Sequence, residues 1–200
     1  MFVTLEGVDG AGKSTHIPFV ADCLRKRDAR EVLITREPGG TPLAESLREL
    51  VLREAMGSIE ETFLMLAARS DHVRRVIRPA LEAGRHVLCD RFTDATFAYQ
   101  GAGKGVDLEL IRGLTSAVTA GLTPDLTILF DCTYEVARER LERSGRALDR
   151  FERENRAFHD RVRGMYLELA RNEPRRFLLI DASMAAHEVS KALEVSLVTL

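Results

Sequence analysis

Residues 7–15 read Gly-Val-Asp-Gly-Ala-Gly-Lys-Ser-Thr and follow the apolar run Phe2-Val3-Thr4-Leu5. From Gly7 to Ser14 they satisfy the pattern G-x-x-x-x-G-K-[ST] in full. The glycines let backbone N–H groups turn inward around phosphate oxygens, and the helix that starts at the end of the loop adds its positive N-terminal end. On this reading Gly7, Val8, Asp9, Gly10, Ala11, Gly12, Lys13, Ser14 and Thr15 wrap a nucleoside triphosphate. Lys13 supplies a point charge to the β- and γ-phosphates, and the Ser14 hydroxyl is a ligand for Mg²⁺. Asp9 is the odd member. A carboxylate inside an anion cradle is repelled by the phosphates, so it needs another task.

Working outward from the loop, short apolar runs alternate with helical patterns. Strands are predicted over 2–6, 32–36, 86–90, 126–131 and 176–181, all nearly non-alternating, as fully buried parallel strands are. Helices are predicted over 13–27, 42–53, 59–83, 107–121, 135–143, 150–171 and 185–197. The alternation calls for an α/β fold: three layers of the P-loop NTPase type, a five-stranded parallel sheet with helices on both faces. Ligands in such sheets bind at the carboxyl ends of the strands. Here those ends carry Glu6-Gly7, Arg36-Glu37, Asp90-Arg91, Asp131 and Asp181, which points to one shared site. The whole of 1–200 reads as a single domain. Within it, about 143–151 (Arg143-Ser-Gly-Arg-Ala-Leu-Asp-Arg-Phe151) breaks helical periodicity and reads as a short mobile lid. Pro18 lies inside the first helix, where its missing N–H predicts a local kink.

Bulk properties narrow the partners. Lysine plus arginine number 29 against 31 acidic residues, a net charge of −2, so the chain has no bulk attraction for nucleic acid. The arginines crowded between Arg138 and Arg176 read mostly as a solvated helix face. Three cysteines form no C-x-x-C pair and five histidines show no metal-ligand spacing, as expected of reduced thiols in a cytoplasmic protein. No apolar run reaches membrane-spanning length and the N-terminus lacks a signal-peptide layout, so no membrane partner is expected.

The reaction is narrowed by what stands near the loop. No N-K-x-D guanine-reading motif is present, and the strand ending Val87-Leu88-Cys89-Asp90 is followed by Arg91 rather than by a glutamate. An arginine there suits phosphoryl transfer between two anionic substrates better than hydrolysis. The alternative is a structural Asp90–Arg91 ion pair. Further motifs are Thr35-Arg36-Glu37-Pro38-Gly39-Gly40-Thr41, Ala67-Ala68-Arg69, Asp90-Arg91-Phe92 and Thr96-Phe97-Ala98-Tyr99-Gln100-Gly101. Pro124-Asp125-Leu126-Thr127 and Leu148-Asp149-Arg150-Phe151-Glu152 follow. With these, nearly the whole chain resembles the thymidylate kinases of the bacterial type, in the wider family of P-loop nucleoside monophosphate kinases.

The resemblance implies transfer of the γ-phosphoryl group of ATP to dTMP, giving dTDP and ADP, a step of dTTP synthesis that uses Mg²⁺. Asp9 is then expected to accept from the 3′-hydroxyl of dTMP, and Tyr99 to lie against the deoxyribose. Arg69, Thr96 and Gln100 read the base, Glu37 and Arg48 hold the acceptor phosphate and its surroundings, and Arg91 touches the phosphates of both substrates. Some members carry a catalytic arginine inside the phosphate loop; here that position is Gly10, so the charge is expected from the lid, from Arg150 first and Arg146 next. Arg140 is expected to stack on adenine, and Asp90 to reach Mg²⁺ through water beside Ser14. Where the family places a phenylalanine over the thymine ring, this chain has Met65, which packs on an aromatic face with less area. A homodimer paired through helices near 59–83 is also implied. Two other readings share the loop: a kinase for a different nucleoside or monophosphate, and a nucleotide-binding regulatory protein without transfer. The second has no use for Asp9, Arg91 and the lid arginines.

Overall fold

The computed structural model describes residues 1–198. Five parallel strands form one sheet in the order β2-β3-β1-β4-β5: β1 (Phe2–Glu6), β2 (Val32–Arg36), β3 (His86–Asp90), β4 (Leu126–Asp131) and β5 (Phe177–Asp181). Every residue of β1 is buried, and β3 and β4 are buried up to their terminal aspartates. The edge strands depart from expectation, because each has a neighbour on one side only. Ile34 in β2 is 43% exposed and Leu179 in β5 is 52% exposed. Leu5 pairs with both Asp90 and Ile128, so β3 and β1 end within a residue of each other while β4 runs on to Asp131 beside them. That shared edge is where the phosphate loop leaves the sheet.

Helices α1 (Lys13–Asp28), α2 (Pro42–Arg53), α6 (Leu108–Thr119), α7 (Tyr134–Arg143) and α9 (Ala186–Val198) lie within a residue or two of the predicted spans. Cap chemistry sets several of their boundaries. Thr41 accepts the Ala44 N–H (3.0 Å) with Pro42 just inside α2, and Asp107 accepts the Leu110 N–H (2.8 Å) at α6. The predicted helix 150–171 is shortened for the same reason. Asn155 accepts the Phe158 N–H (2.9 Å) and starts α8 at Arg156 (Arg156–Asn172), which leaves 150–155 as turns of the lid. The predicted 59–83 helix is three segments: α3 (Ser58–His72), a π-helical turn (Val73–Ile77) and α4 (Arg78–Glu82). Pro79 has no N–H for the ordinary ladder, and the widened turn immediately precedes it. Pro18 does not end α1, which stays helical on both sides of it. A short helix α5 (Thr93–Thr96) running into a second π-helical stretch (Phe97–Gly103) is absent from the sequence-based elements, because its buried small and polar residues carry no clear period.

Polar ties lock these layers. Arg176 makes a bidentate pair with Asp94 (2.7 and 2.8 Å) and also donates to Thr127 (2.7 Å), fastening α5 to the start of β5. Glu6, fully buried at the end of β1, accepts the Phe92 N–H (2.7 Å) and the Tyr166 O–H (2.8 Å). It thereby joins β1 to the segment after β3 and to α8. Burial, and the Asp94 carboxylate after it, push the Glu6 carboxyl up to about 7, against the pull of Arg91 and the two hydrogen bonds. A folded state that holds this proton more tightly than the unfolded chain loses stability as pH rises from the ordinary 4.5 to about 7. Thermal melts across that interval should therefore show a falling transition temperature, and Glu6→Gln should flatten the fall. A Glu6→Gln profile as steep as the parent's would refute the assignment.

Candidate active site

The phosphate loop is a run of backbone turned inside out. Gly7, Gly10 and Gly12 have φ of 135°, 83° and 90°, a region closed to most side chains. At Gly10 there is also no room: a Cβ would stand 2.4 Å from the Ala137 carbonyl oxygen of α7. The space that an arginine side chain would need at this position is thus occupied by a neighbouring backbone. Lys13, buried, donates to the Gly7 and Val8 carbonyls (3.0 Å each), which folds its ammonium into the loop it serves. Burial, then the nearby Arg91 charge, lower its pKa. Ser14 and Thr15 are exposed to a wide polar cavity of about 790 Å³ that runs from the loop to Arg140 and the start of α9. In that cavity Asp90 presents a buried Oδ1 with no partner among the described residues. The Ser14 hydroxyl lines the same cavity, so two hard-oxygen donors face it. That suits Mg²⁺, which keeps several waters and needs few protein ligands, and no fuller cluster of metal-binding side chains exists among the described residues.

A second, narrower cleft of about 80 Å³ adjoins the first, lined in part by Met65, Arg69, Thr96, Tyr99, Gln100 and Phe151. Asp9, Glu37, Arg48, Arg91 and Asp149 line both. Arg91 follows β3 with φ of 70° and aims its guanidinium back over the loop. It donates to Asp9 (2.7 Å), to the Tyr99 hydroxyl (3.1 Å) and to the Tyr166 hydroxyl (3.1 Å), and lies over the Tyr99 ring at 4.8 Å. Arg91 therefore pairs with Asp9 and not with its neighbour Asp90. Tyr99 also donates to Asp9 (2.8 Å). Burial alone would raise the Asp9 carboxyl; Arg91, Lys13 and these hydrogen bonds overcome it and hold the group down at about 2.

The floor of the narrow cleft is a hydrogen-bonded frame. Arg69 donates from Nε to Glu37 (2.6 Å), from Nη1 to Thr96 (2.8 Å) and from Nη2 to the Phe92 carbonyl (2.8 Å). His72 donates to the other Glu37 oxygen (2.9 Å) and meets the Thr35 hydroxyl (2.7 Å). Each Glu37 oxygen thus accepts from one buried neighbour, Arg69 or His72. Arg48 donates to the Pro38 carbonyl (3.1 Å) and keeps the rest of its fork for the cavities. Met65 lines the cleft, whereas Phe63, 52% exposed, faces away from it.

The lid arginines separate. Arg143 and Arg146 line the wide cavity, and Arg146 is paired through both Nη atoms with Glu152. Arg150, ranked first from the sequence, does not reach the phosphate loop. Its Nη2 pairs with Glu61 of α3, beyond the narrow cleft, and its guanidinium lies over Phe151 at 4.7 Å. Arg140 donates to the Ala182 (2.7 Å) and Met184 (3.0 Å) carbonyls, which fixes its plane at the far end of the wide cavity. Reading the sequence missed Glu61, His72, Tyr166 and Glu152, all buried polar residues inside otherwise ordinary helical or turn patterns. Nothing in local spacing distinguishes them from surface residues.

The comparisons with known proteins agree with this geometry. The family model described as thymidylate kinase matches residues 5–193. A thymidylate kinase of Cupriavidus necator is 52% identical over 200 residues, covering all of this chain and 98% of that protein. One from Pseudomonas syringae pv. syringae is 52% identical, covering 98% of this chain and 94% of its own. Among solved structures, the thymidylate kinase of Ehrlichia chaffeensis superimposes with a TM-score of 0.79 at 32% identity, covering all of this chain and 98% of that one. With a match of this length and a site of this construction, the chain belongs to the thymidylate kinase family.

Proposed function

We propose that the protein transfers the γ-phosphoryl group of ATP to dTMP. An oxygen of the dTMP phosphate forms the new bond to the γ-phosphorus, the bond to the β–γ bridging oxygen breaks, and dTDP and ADP leave. The observation that carries this reading is the meeting of two cavities at Asp9, Glu37, Arg48, Arg91 and Asp149. A hydrolase needs one nucleotide cavity and a place for water; a second, walled cleft facing the γ-phosphate end of the first provides a place for an acceptor.

In this arrangement the loop N–H groups and Lys13 hold the ATP phosphates, and Arg140 flanks the adenine end. Ser14 and Asp90 would hold Mg²⁺, which would supply neutralising charge for the ATP phosphates. Arg91 is anchored by Asp9, Tyr99 and Tyr166, so its position between the substrates is fixed before either arrives. Such prior fixing is where electrostatic stabilisation of a spread-out transition state comes from. Asp9 and Tyr99 bound the acceptor sugar, and Arg69, Thr96, Gln100 and Met65 bound the base. For the lid charge, the geometry favours Arg146 over Arg150, since Arg146 already faces the phosphate cavity.

Exposed apolar residues also support pairing of two chains. Leu43 and Leu50 on α2, Ile59 and Phe63 on α3, and Leu110 on α6 lie on neighbouring helices, with α3 packed against the other two. A homodimer paired through these helices would cover them.

ADP release measured over a panel of monophosphates should be fastest with dTMP and should collapse when Mg²⁺ is chelated; equal rates with GMP or AMP would refute the acceptor assignment. Arg146→Ala should lower kcat by about 10³-fold, the low end of what one transition-state arginine contributes. Arg150→Ala should act mainly on KM for dTMP, and the reverse pattern would restore Arg150 to the catalytic place. In sedimentation velocity Phe63→Glu should shift the protein from dimer to monomer, and an unshifted dimer would place the interface elsewhere.

A further inference from the structure

Gln100 is buried and lines the narrow cleft, and the two ends of its amide are treated differently. Its Nε2 donates to Glu61 Oε1 at 2.9 Å, while its Oε1 is buried with no partner among the described residues. Glu61 is wholly buried. Its other oxygen accepts from Lys104 Nζ (2.6 Å) and from Arg150 Nη2. Flanked by two cations, Glu61 offers lone pairs only. The amide end that faces it must be the NH₂, since a reversed amide would press two buried acceptors together and leave an NH₂ group unpaired. The free carbonyl is therefore left for whatever enters the cleft.

We infer that Glu61 is the residue that sets base choice, by holding Gln100 with its carbonyl oxygen toward the acceptor base. This rests on the dTMP kinase reading above. A carbonyl at this place accepts a ring N–H. Thymine and uracil carry one at N3, between two carbonyl oxygens, whereas cytosine has a lone pair at N3 and an amino group beside it. The cleft also holds Arg69, three of whose five N–H groups are spent on Glu37, Thr96 and Phe92, leaving one on each Nη to donate toward a base carbonyl. Acceptor and donor together match a 4-oxo pyrimidine and oppose a 4-amino one at both positions. Glu61 is a positioning residue on this account: it acts through Gln100. Arg150 reaches Glu61 from the lid segment, so the lid helps to keep the base reader oriented.

The test compares kcat/KM for dTMP and dCMP in the parent and in Glu61→Gln. A glutamine at 61 both donates and accepts, so Gln100 is free to turn over. The parent should prefer dTMP by about 10⁴-fold, the discrimination of a site with a directed hydrogen bond. Glu61→Gln should cut that preference by at least about 10²-fold, with the loss for dTMP falling on KM and new turnover with dCMP. The exchanged pair E61Q/Q100E puts the carboxylate on the reader and its donor behind it, and should recover most of the dTMP preference. If Glu61→Gln does not fold, the exchanged pair carries the test alone, and a lost preference there overturns the inference. An unchanged dTMP-to-dCMP ratio in folded Glu61→Gln overturns it while leaving the kinase reading intact. A parent enzyme inactive on dTMP overturns both.

Discussion

The ion pair between Arg91 and Asp9, 2.7 Å apart, is the constraint on which the site depends. One partner leaves the phosphate loop after β1, the other follows β3 in a left-handed backbone conformation, and the pair spans the boundary between the two cavities. Asp9 shares with Asp90 and Glu6 the task of offsetting the repulsion between Arg91 and Lys13. Without Arg91, a carboxylate would stand among phosphates. Each makes the other tolerable, and both are then available to substrates.

Around that pair the protein builds a frame of charges held by charges. Glu37 holds Arg69 and His72, Glu61 holds Lys104 and Arg150, Glu152 holds Arg146, and Glu6 takes Tyr166, which in turn touches Arg91. Burying single ions is costly, and these arrangements answer that cost with paired, hydrogen-bonded groups. What results is a set of donors whose directions are fixed in advance, as phosphoryl transfer requires. Gly10 fits the same logic. A side chain at Gly10 would collide with α7, so no arginine can stand at that place in the loop, and Lys13 is the loop's own cation.

Much of this was legible from the chain. The three central strands end where apolar runs meet Glu6, Asp90 and Asp131, because continuous burial in a parallel sheet leaves a plain hydrophobic signature. The phosphate loop was legible because its chemistry demands glycines at fixed spacing. The cleft residues Met65, Arg69, Thr96, Tyr99 and Gln100 were reached through resemblance to a family, and the structure brings them together around one cleft. Tertiary pairing was not legible. Arg150 was placed near the phosphates on its motif, whereas its position follows from Glu61, 89 residues earlier in the chain. The start of α8 depended on Asn155 acting as a cap, which the arginine-rich pattern through 150–156 concealed.

The close approach of Gly10 to Ala137 also bears on movement. Because loop backbone and helix backbone touch there, α7 is pinned to the phosphate loop near its middle, with Leu141 buried one turn further on. The lid begins where α7 stops, at Ser144 and Gly145, and Gly145 has φ of 67°. If this segment swings, Ser144 and Gly145 offer the short joint about which it would turn while the helix stays in place. Arg143, on the fixed side, and Arg146, on the moving side, stand one residue to either side of that joint, so a small angular change suffices to alter the spacing between their charges.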